Sequence, residues 1–404
     1  AVPAWAQFVE SDVVVIHEIR SEAAGDQFGW IGQAIGDVDG DGVTDFAVSA
    51  PFKEIDGPRA GRVYCYSGKT GEELWRRNGM AGSLLGIELT AAGDVNADGV
   101  GDVFAGAVGL ATAVVFSGAD GSMVFRRSSN DGGLYARSGA GVGDVNGDGH
   151  GDVLVGAPQH DSGRGAAFLY SGADGALLHT FTGEEEGDLF ANAVAGRTDD
   201  RHSLIAIGAT NGGPGDRGRV YVYDGRSYEL RFTFDADETG VQLGRMFISI
   251  VGDVDADGTP DVYASDWADA AKGQQTGRIY VHSGKTGERL HAIGGEAAGD
   301  GFGIGSAEAG DVDGDGHDDL LIGAWQHGSG ATAGGRVYLY SGKTGALMRT
   351  ITSNVENETF GFDATTLGDV DGDGVNDFLI TSGWSPVNGA QSGRVFVISG
   401  KPGG

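Results

Sequence analysis

Apolar residues in this chain come in short runs, and the runs recur. From Gly61 the chain reads GRVYCYSG, with aromatic and aliphatic residues mixed as on a strand. The run returns as AVVFSG, AAFLYSG, GRVYVYDG, GRIYVHSG, GRVYLYSG and, from Gly393, GRVFVISG. Polar segments rich in Asp and Gly separate these runs. One reads GDVDGDGVTDF from Gly36 and returns from Gly93, Gly143, Gly252, Gly310 and Gly368, at steps of 57, 50, 109, 58 and 58 residues. The long step is about two periods. AGRTDDRHSLIAIGAT, from Ala195, fills it with a copy that keeps the apolar flanks and loses the acids. A third element precedes the acidic one, as DQFGWIG at Asp26, DGFGIG at Asp300 and ETFGFD at Glu358.

Seven copies at this period fall in the range of propeller blades and solenoids. Each copy reads as four strands. The first runs from the FG element toward the acidic loop, as from Trp30 to Ile35. The second follows the loop, as in Phe46 to Ser49 or Leu320 to Ile322. The third is the Arg-Val-Tyr run. The fourth follows a tight turn such as SGKTGE, as in Glu73-Leu74-Trp75. No amphipathic helical stretch of useful length appears. The last copy stops after its third strand, while VVVIHEIRSEAAGDQFG near the start matches LHAIGGEAAGDGFG of the sixth copy. Residues 13–20 are therefore expected to pair with the strand ending near Ser399 and to close a ring. The expectation is an all-β fold: one seven-bladed β-propeller domain over residues 1–404, with four-stranded blades. An open solenoid would carry polar capping repeats instead.

The acidic element carries Asp or Asn at positions 1, 3, 5 and 9. Glycine or alanine stands at position 4 and glycine at position 6. Alternate side-chain oxygens in a tight loop can surround one centre, and the position-7 carbonyl can join them. The candidate metal ligands are Asp37, Asp39, Asp41, Val43 and Asp45 in the first loop, and Asp94, Asn96, Asp98, Val100 and Asp102 in the second. Asp144, Asn146, Asp148, His150 and Asp152 form the third set, and Asp253, Asp255, Asp257, Thr259 and Asp261 the next. The last two are Asp311, Asp313, Asp315, His317 and Asp319, and Asp369, Asp371, Asp373, Val375 and Asp377. The residue at position 7 contributes its backbone carbonyl in every set. Oxygen-only donors suit calcium and suit zinc or copper poorly. An EF-hand needs Glu at position 12; here that position is Val48, Ala105, Val155, Ala264, Ile322 or Ile380. About six Ca²⁺ sites are expected. None is expected in the degenerate fourth copy, where Gly196, Thr198, Asp200 and Leu204 take the ligand positions and Arg197 or Arg201 is expected to supply some of the missing positive charge.

Composition sharpens this picture. The formal charge is −31, and 22 of the 41 aspartates lie in the six loops. Six calcium ions would bring the charge to −19. Either value disfavours nucleic acid, whose backbone needs clustered Lys and Arg. The single Cys65 excludes an internal disulfide framework and a Cys-based zinc site, and reads as a small buried hydrophobe. No apolar run reaches the ~18 residues of a membrane span, so no membrane insertion is expected.

These motifs resemble the FG-GAP repeat family, which includes the N-terminal β-propeller of integrin α subunits. Phe302-Gly303, then Gly310 to Asp319, then Leu320-Leu321-Ile322-Gly323-Ala324 carries the pattern. The resemblance implies calcium in loops on one face, and partner binding rather than catalysis. Six occupied loops and the absence of disulfides point to a microbial secreted or surface relative.

In such a blade, the loops opposite the calcium loops start with Phe52, Trp267, Trp325 and Trp384, with His160 and His327 nearby. These six are candidate ligand-binding residues for a protein or glycan. The competing reading of the tryptophans is packing between blades. No catalytic residue is assigned, because neither histidine has an identifiable nucleophile or orienting partner. The expected role is a calcium-stabilised extracellular binding or adhesion module, secreted, at the cell surface or periplasmic, acting as a monomer or as part of a larger surface protein. The alternatives are a lyase-like polysaccharide enzyme on a propeller scaffold and a purely structural domain.

Overall fold

The computed structural model describes residues 7–130, 132–199 and 201–403. Its strands form seven antiparallel four-stranded sheets. Six blades are contiguous in sequence, blades 1 to 6 spanning residues 32–78, 85–128, 138–182, 190–235, 248–294 and 302–352, and blade 7 joins residues 364–398 to the N-terminal strand 15–20. Blade 1, for example, consists of Gly32–Gly36, Asp45–Ala50, Arg62–Tyr66 and Glu73–Asn78, in that order from the inside outward. The second strand of each blade is buried along its whole length, because neighbouring blades cover both of its faces. The fourth strand is the rim and alternates in exposure, as Glu73–Asn78 does around buried Trp75. Expected and observed strands differ by up to three residues at their ends, most at the fourth strand, which runs on from Trp75 to Asn78. Among the described residues the only helix is one 3₁₀ turn at Val108–Leu110 and one turn at His160–Gly163, where Asp161 and Ser162 adopt left-handed φ of 48° and 57°.

The core is divided among the seams. Seven clusters of buried apolar side chains each straddle one pair of adjacent blades. The FG element makes each seam. Phe28, Phe302 and Phe360 are buried against the preceding blade, and Leu85, Tyr135, Phe190 and Leu243 take the same place elsewhere. The glycine that opens the preceding third strand lies directly against that residue's backbone. A Cβ on Gly61, Gly277, Gly335 or Gly393 would stand 2.0–2.3 Å from the carbonyl oxygen of Leu85, Phe302, Phe360 or Phe28. Only glycine permits that approach.

The ring closes as expected. Val15–Arg20 pairs antiparallel with Arg394–Ile398 and completes the sheet of Ala364–Gly368, Asp377–Ser382 and Arg394–Ile398. The chain before this strand reaches further and clasps blade 6. Phe8 packs edge-on against Phe360 and Phe396, at 5.2 and 5.6 Å between centroids. Glu10 accepts hydrogen bonds from the Thr350 and Thr352 hydroxyls, at 3.0 and 2.8 Å. At the centre of the joint, Arg394 is almost fully buried and meets Glu358 at 2.5 Å and Glu18 at 2.8 Å.

Breaking a buried ion pair by removing one partner strands the other charge. Arg394→Met is therefore expected to cost about 3–5 kcal/mol in urea unfolding, and Arg394→Met with Glu358→Gln to recover most of that loss. Equal losses in the single and double variants would show that the pair is not coupled.

Candidate metal loops and the axial mouth

Each acidic loop is built by its own aspartates. In blade 1, Asp37 accepts backbone N–H bonds from Gly40, Asp41 and Gly42 at 2.8, 3.0 and 2.9 Å. Asp39 accepts from Asp41, and Asp41 from Val43, at 3.1 and 3.0 Å. These bonds wind the chain around its own carboxylates, and Gly42 makes the turn at φ +87°. The equivalent glycines of the other five loops lie between +86° and +89°. Position 9 is the anchor. Asp45 is fully buried and accepts N–H bonds from Val38 at 2.8 Å and from Gly68, in the same blade's outer hairpin, at 2.9 Å. Asp102, Asp152, Asp261, Asp319 and Asp377 accept the same hairpin bond at 3.0–3.1 Å.

Burial pushes these anchors above the usual carboxylate range, and the other loop aspartates add to the effect. Asp102 and Asp152 rise to about 6 and Asp261 to about 7; Asp45, Asp319 and Asp377 move the same way. In four loops, three carboxylate oxygens from different side chains lie within 4.8 Å of one another: Asp37, Asp39 and Asp41; Asp253, Asp255 and Asp261; Asp311, Asp313 and Asp315; Asp369, Asp371 and Asp377. Anionic oxygens crowded on a rigid turn are compatible with a hard divalent cation such as calcium.

Neighbouring loops also touch. At position 7, His150 and His317 donate from Nδ1 to the carbonyls of Val95 and Val254 in the preceding loop, both at 2.8 Å. Asp318 accepts the Asp253 N–H at 2.8 Å. In the degenerate loop, hydrophobic Leu204 replaces the anchor, and Asp200 lies outside the described residues. Arg197 meets Glu308 at 3.5 Å and lines both the axial channel and the pocket at this loop, beside Asp199 and Asp253. Arg201 is exposed. Arg226 joins the loop as well, its Nη2 donating to the Asp199 carbonyl at 2.5 Å.

The opposite face carries a continuous aromatic cluster. Trp325 stands edge-on to Trp384 and Phe362, at 4.8 and 5.6 Å. Phe362 continues to Trp30 at 5.1 Å, and Trp30 to Phe52 at 5.6 Å. Trp267 and Phe247 pack against the same group. The cluster rims an axial channel of about 420 Å³. Trp325 is buried in it, whereas Phe52, Trp267 and Trp384 are half-buried. Trp384 and Trp30 donate their indole N–H to Gln27 and to the Ile87 carbonyl, both at 3.2 Å. The indole N–H groups of Trp267 and Trp325 are buried and have no acceptor among the described residues.

The two candidate histidines stand apart from this cluster. His160 lies edge-on to Phe168 at 5.6 Å in blade 3. His327 is buried, with Nδ1 3.2 Å from Asp300. That contact holds the Asp300 carboxyl below its usual range against the opposing effect of burial. His327 thus belongs to a seam rather than to an accessible surface.

The FG-GAP repeat model matches residues 28–66, 136–170, 305–340 and 360–398, and a related FG-GAP-like repeat model matches residues 253–322. The chain carries FG-GAP repeats. It is 36% identical to integrin alpha-5 of Xenopus laevis over 166 residues, covering 38% of this chain and 15% of the relative. It is 35% identical to integrin alpha-PS2 of Drosophila melanogaster over 165 residues, covering 38% and 11%. With integrin alpha-V of Gallus gallus it shares 37% over 100 residues, 22% and 9%. The match thus spans less than a fifth of these relatives' length. The repeats and the seven blades are consistent with an integrin-α-like propeller.

The FG-GAP repeats also show which mouth residues the sequence reading missed. In four blades the residue directly after the FG pair lines the channel: Trp30, Ile87, Arg137 and Phe362. The signal lay in the repeat itself, one position past the pair. Deeper in, Glu88 lies 3.9 Å from Arg137. Burial pushes Glu88 up to about 8, opposed by Arg137 and reinforced by Asp363.

The folded chain thus keeps a proton on Glu88 that the unfolded chain releases near 4.5. Its contribution to stability is complete below that value and is lost as the pH rises toward 8. Glu88→Gln is expected to melt with wild type at about pH 4 and above wild type at about pH 9. Parallel melting curves across that range would refute the assignment.

Proposed function

We propose that this chain is a calcium-stabilised binding module that works outside the cytoplasm and takes a protein or glycan ligand at the axial mouth. The observation that carries the ligand side is the aromatic cluster with two buried indole donors, on Trp267 and Trp325, that lack acceptors. A buried unpaired donor is costly, and a ligand oxygen would satisfy it. The half-buried faces of Trp384, Trp267 and Phe52 offer flat surfaces for a sugar ring or an apolar side chain. Arg137 and Arg245 give the same mouth a basic side, Arg245 lying 6.0 Å from the Trp267 ring.

Calcium fits the six loops with position-9 anchors. There Asp37, Asp39, Asp41 and Asp45, and their counterparts in the other five blades, would hold it, and its charge would offset the carboxylate repulsion. The loop of blade 4, with Leu204 at the anchor and Arg226 at its edge, is assigned no ion. Calcium sites of ordinary strength fill at extracellular rather than cytosolic concentrations, which supports a secreted, cell-surface or periplasmic location.

Ions that bind only the folded state stabilise it by mass action. Excess EGTA is therefore expected to lower the melting temperature, and added calcium to restore it; an unchanged temperature would count against structural calcium. For the ligand face, a glycan array and a panel of extracellular proteins supply the probes. Trp384→Ala is expected to weaken the bound probe by about 30-fold, as for a central aromatic anchor. Undiminished binding by this variant would move the site away from the mouth.

A further inference from the structure

The six metal loops differ from one another at two places at once. In blades 1, 5, 6 and 7, position 3 is aspartate, and the outer hairpin of the same blade carries a lysine: Lys69, Lys285, Lys343 or Lys401. In blades 2 and 3, position 3 is asparagine, and the hairpin residue is Ala119 or Ala173. The two changes meet at the position-5 aspartate, whose backbone carbonyl accepts from Lys69 and Lys285 at 3.1 Å in blades 1 and 5. The lysine Nζ stands 3.9, 3.8, 3.5 and 3.8 Å from Oδ2 of the position-5 aspartate, in blade order. In blades 2 and 3 that oxygen instead accepts the amide N–H of Asn96 or Asn146, at 2.8 Å in both. Asp120 and Asp174, next in those hairpins, are turned to their own turns, where they accept from the Ser122 and Ala176 N–H groups.

Counted over the four ligand side chains and the hairpin residue, every one of the six loops carries −3. Four aspartates with a lysine and three aspartates with none reach the same value. A solvent-exposed lysine does not need to lie over a loop for folding, and the hairpin folds equally well with alanine in blades 2 and 3.

We propose that Lys69, Lys285, Lys343 and Lys401 are tethered counter-charges that set the calcium affinity of their loops. Each ammonium offsets the fourth carboxylate. It steadies the loop when calcium is absent, and it opposes calcium at the position-5 carboxylate when the ion arrives. The four-aspartate loops are thereby matched to the three-aspartate loops, so that all six fill over one range of calcium concentration. This rests on the calcium reading above.

The test uses the full chain stripped of metal with EGTA, then freed of chelator. Calcium is titrated calorimetrically into wild type and into the variant with alanine at all four lysines, at low and high sodium chloride. The variant is expected to bind calcium about two- to five-fold more tightly in four loops at low salt, with the gain shrinking at high salt. Its metal-free melting temperature is expected to fall below wild type. Asn96→Asp should shift affinity and metal-free melting in the same directions, and Asn96→Asp with Ala119→Lys should reverse both. Unchanged or weaker calcium binding in the lysine variant, or no reversal by Ala119→Lys, overturns the proposal. If wild type takes up no calcium, the calcium reading fails. Metal-free melting at two salt concentrations then still decides whether the lysines offset loop charge, and equal melting overturns that as well.

Discussion

The contact between the glycine opening a third strand and the backbone of the next blade's FG residue sets the geometry of this propeller. At Gly61, Gly277, Gly335 and Gly393 there is no room for a side chain. The two backbones touch, and the buried side chain beside them, Leu85 or a phenylalanine, fills the seam. Repeating one close contact around the ring gives each blade a similar position and tilt. The seam between blades 2 and 3 departs from the rule. Ala111 takes the glycine's place at a left-handed φ of 45°, and Tyr135 takes that of phenylalanine.

Equal seams determine the two faces. All first-to-second-strand loops emerge on one side, close enough to touch through His150, His317 and Asp318. Six acidic loops on one rim create a strong negative field, and the position-9 anchors are buried within it. Charge must be balanced there, by bound cations, by hairpin lysines, or, in blade 4, by loss of the acids and gain of Arg226. On the other side the seams bring the residue after the FG pair to the axis in four blades. Aromatic and basic side chains far apart in the chain thus share one mouth.

Much of this was legible in the repeats. The strand runs, the Asp spacing and the spare N-terminal strand are local or periodic signals, and periodicity survives without knowledge of contacts. The N-terminal clasp was only half visible. The match of residues 13–20 to a fourth strand showed the pairing, but nothing in Gln7, Phe8 and Glu10 marks them as partners of blade 6. The charge of the degenerate loop was assigned to Arg197 or Arg201 because both are adjacent in sequence. The structure brings Arg197 to Glu308 and adds Arg226 from the next hairpin.

The sequence by itself determined the number of blades, the order of strands within them and the loops that gather carboxylates. All three follow from patterns repeated within about one period. Tertiary structure alone decided which aromatics are accessible, because exposure depends on neighbours in the adjacent blade. Trp325 and His327 stand two residues apart. One joins a cluster at the mouth, whereas the other is sealed in a seam against Asp300. No local rule separates them; the curvature of the closed ring does.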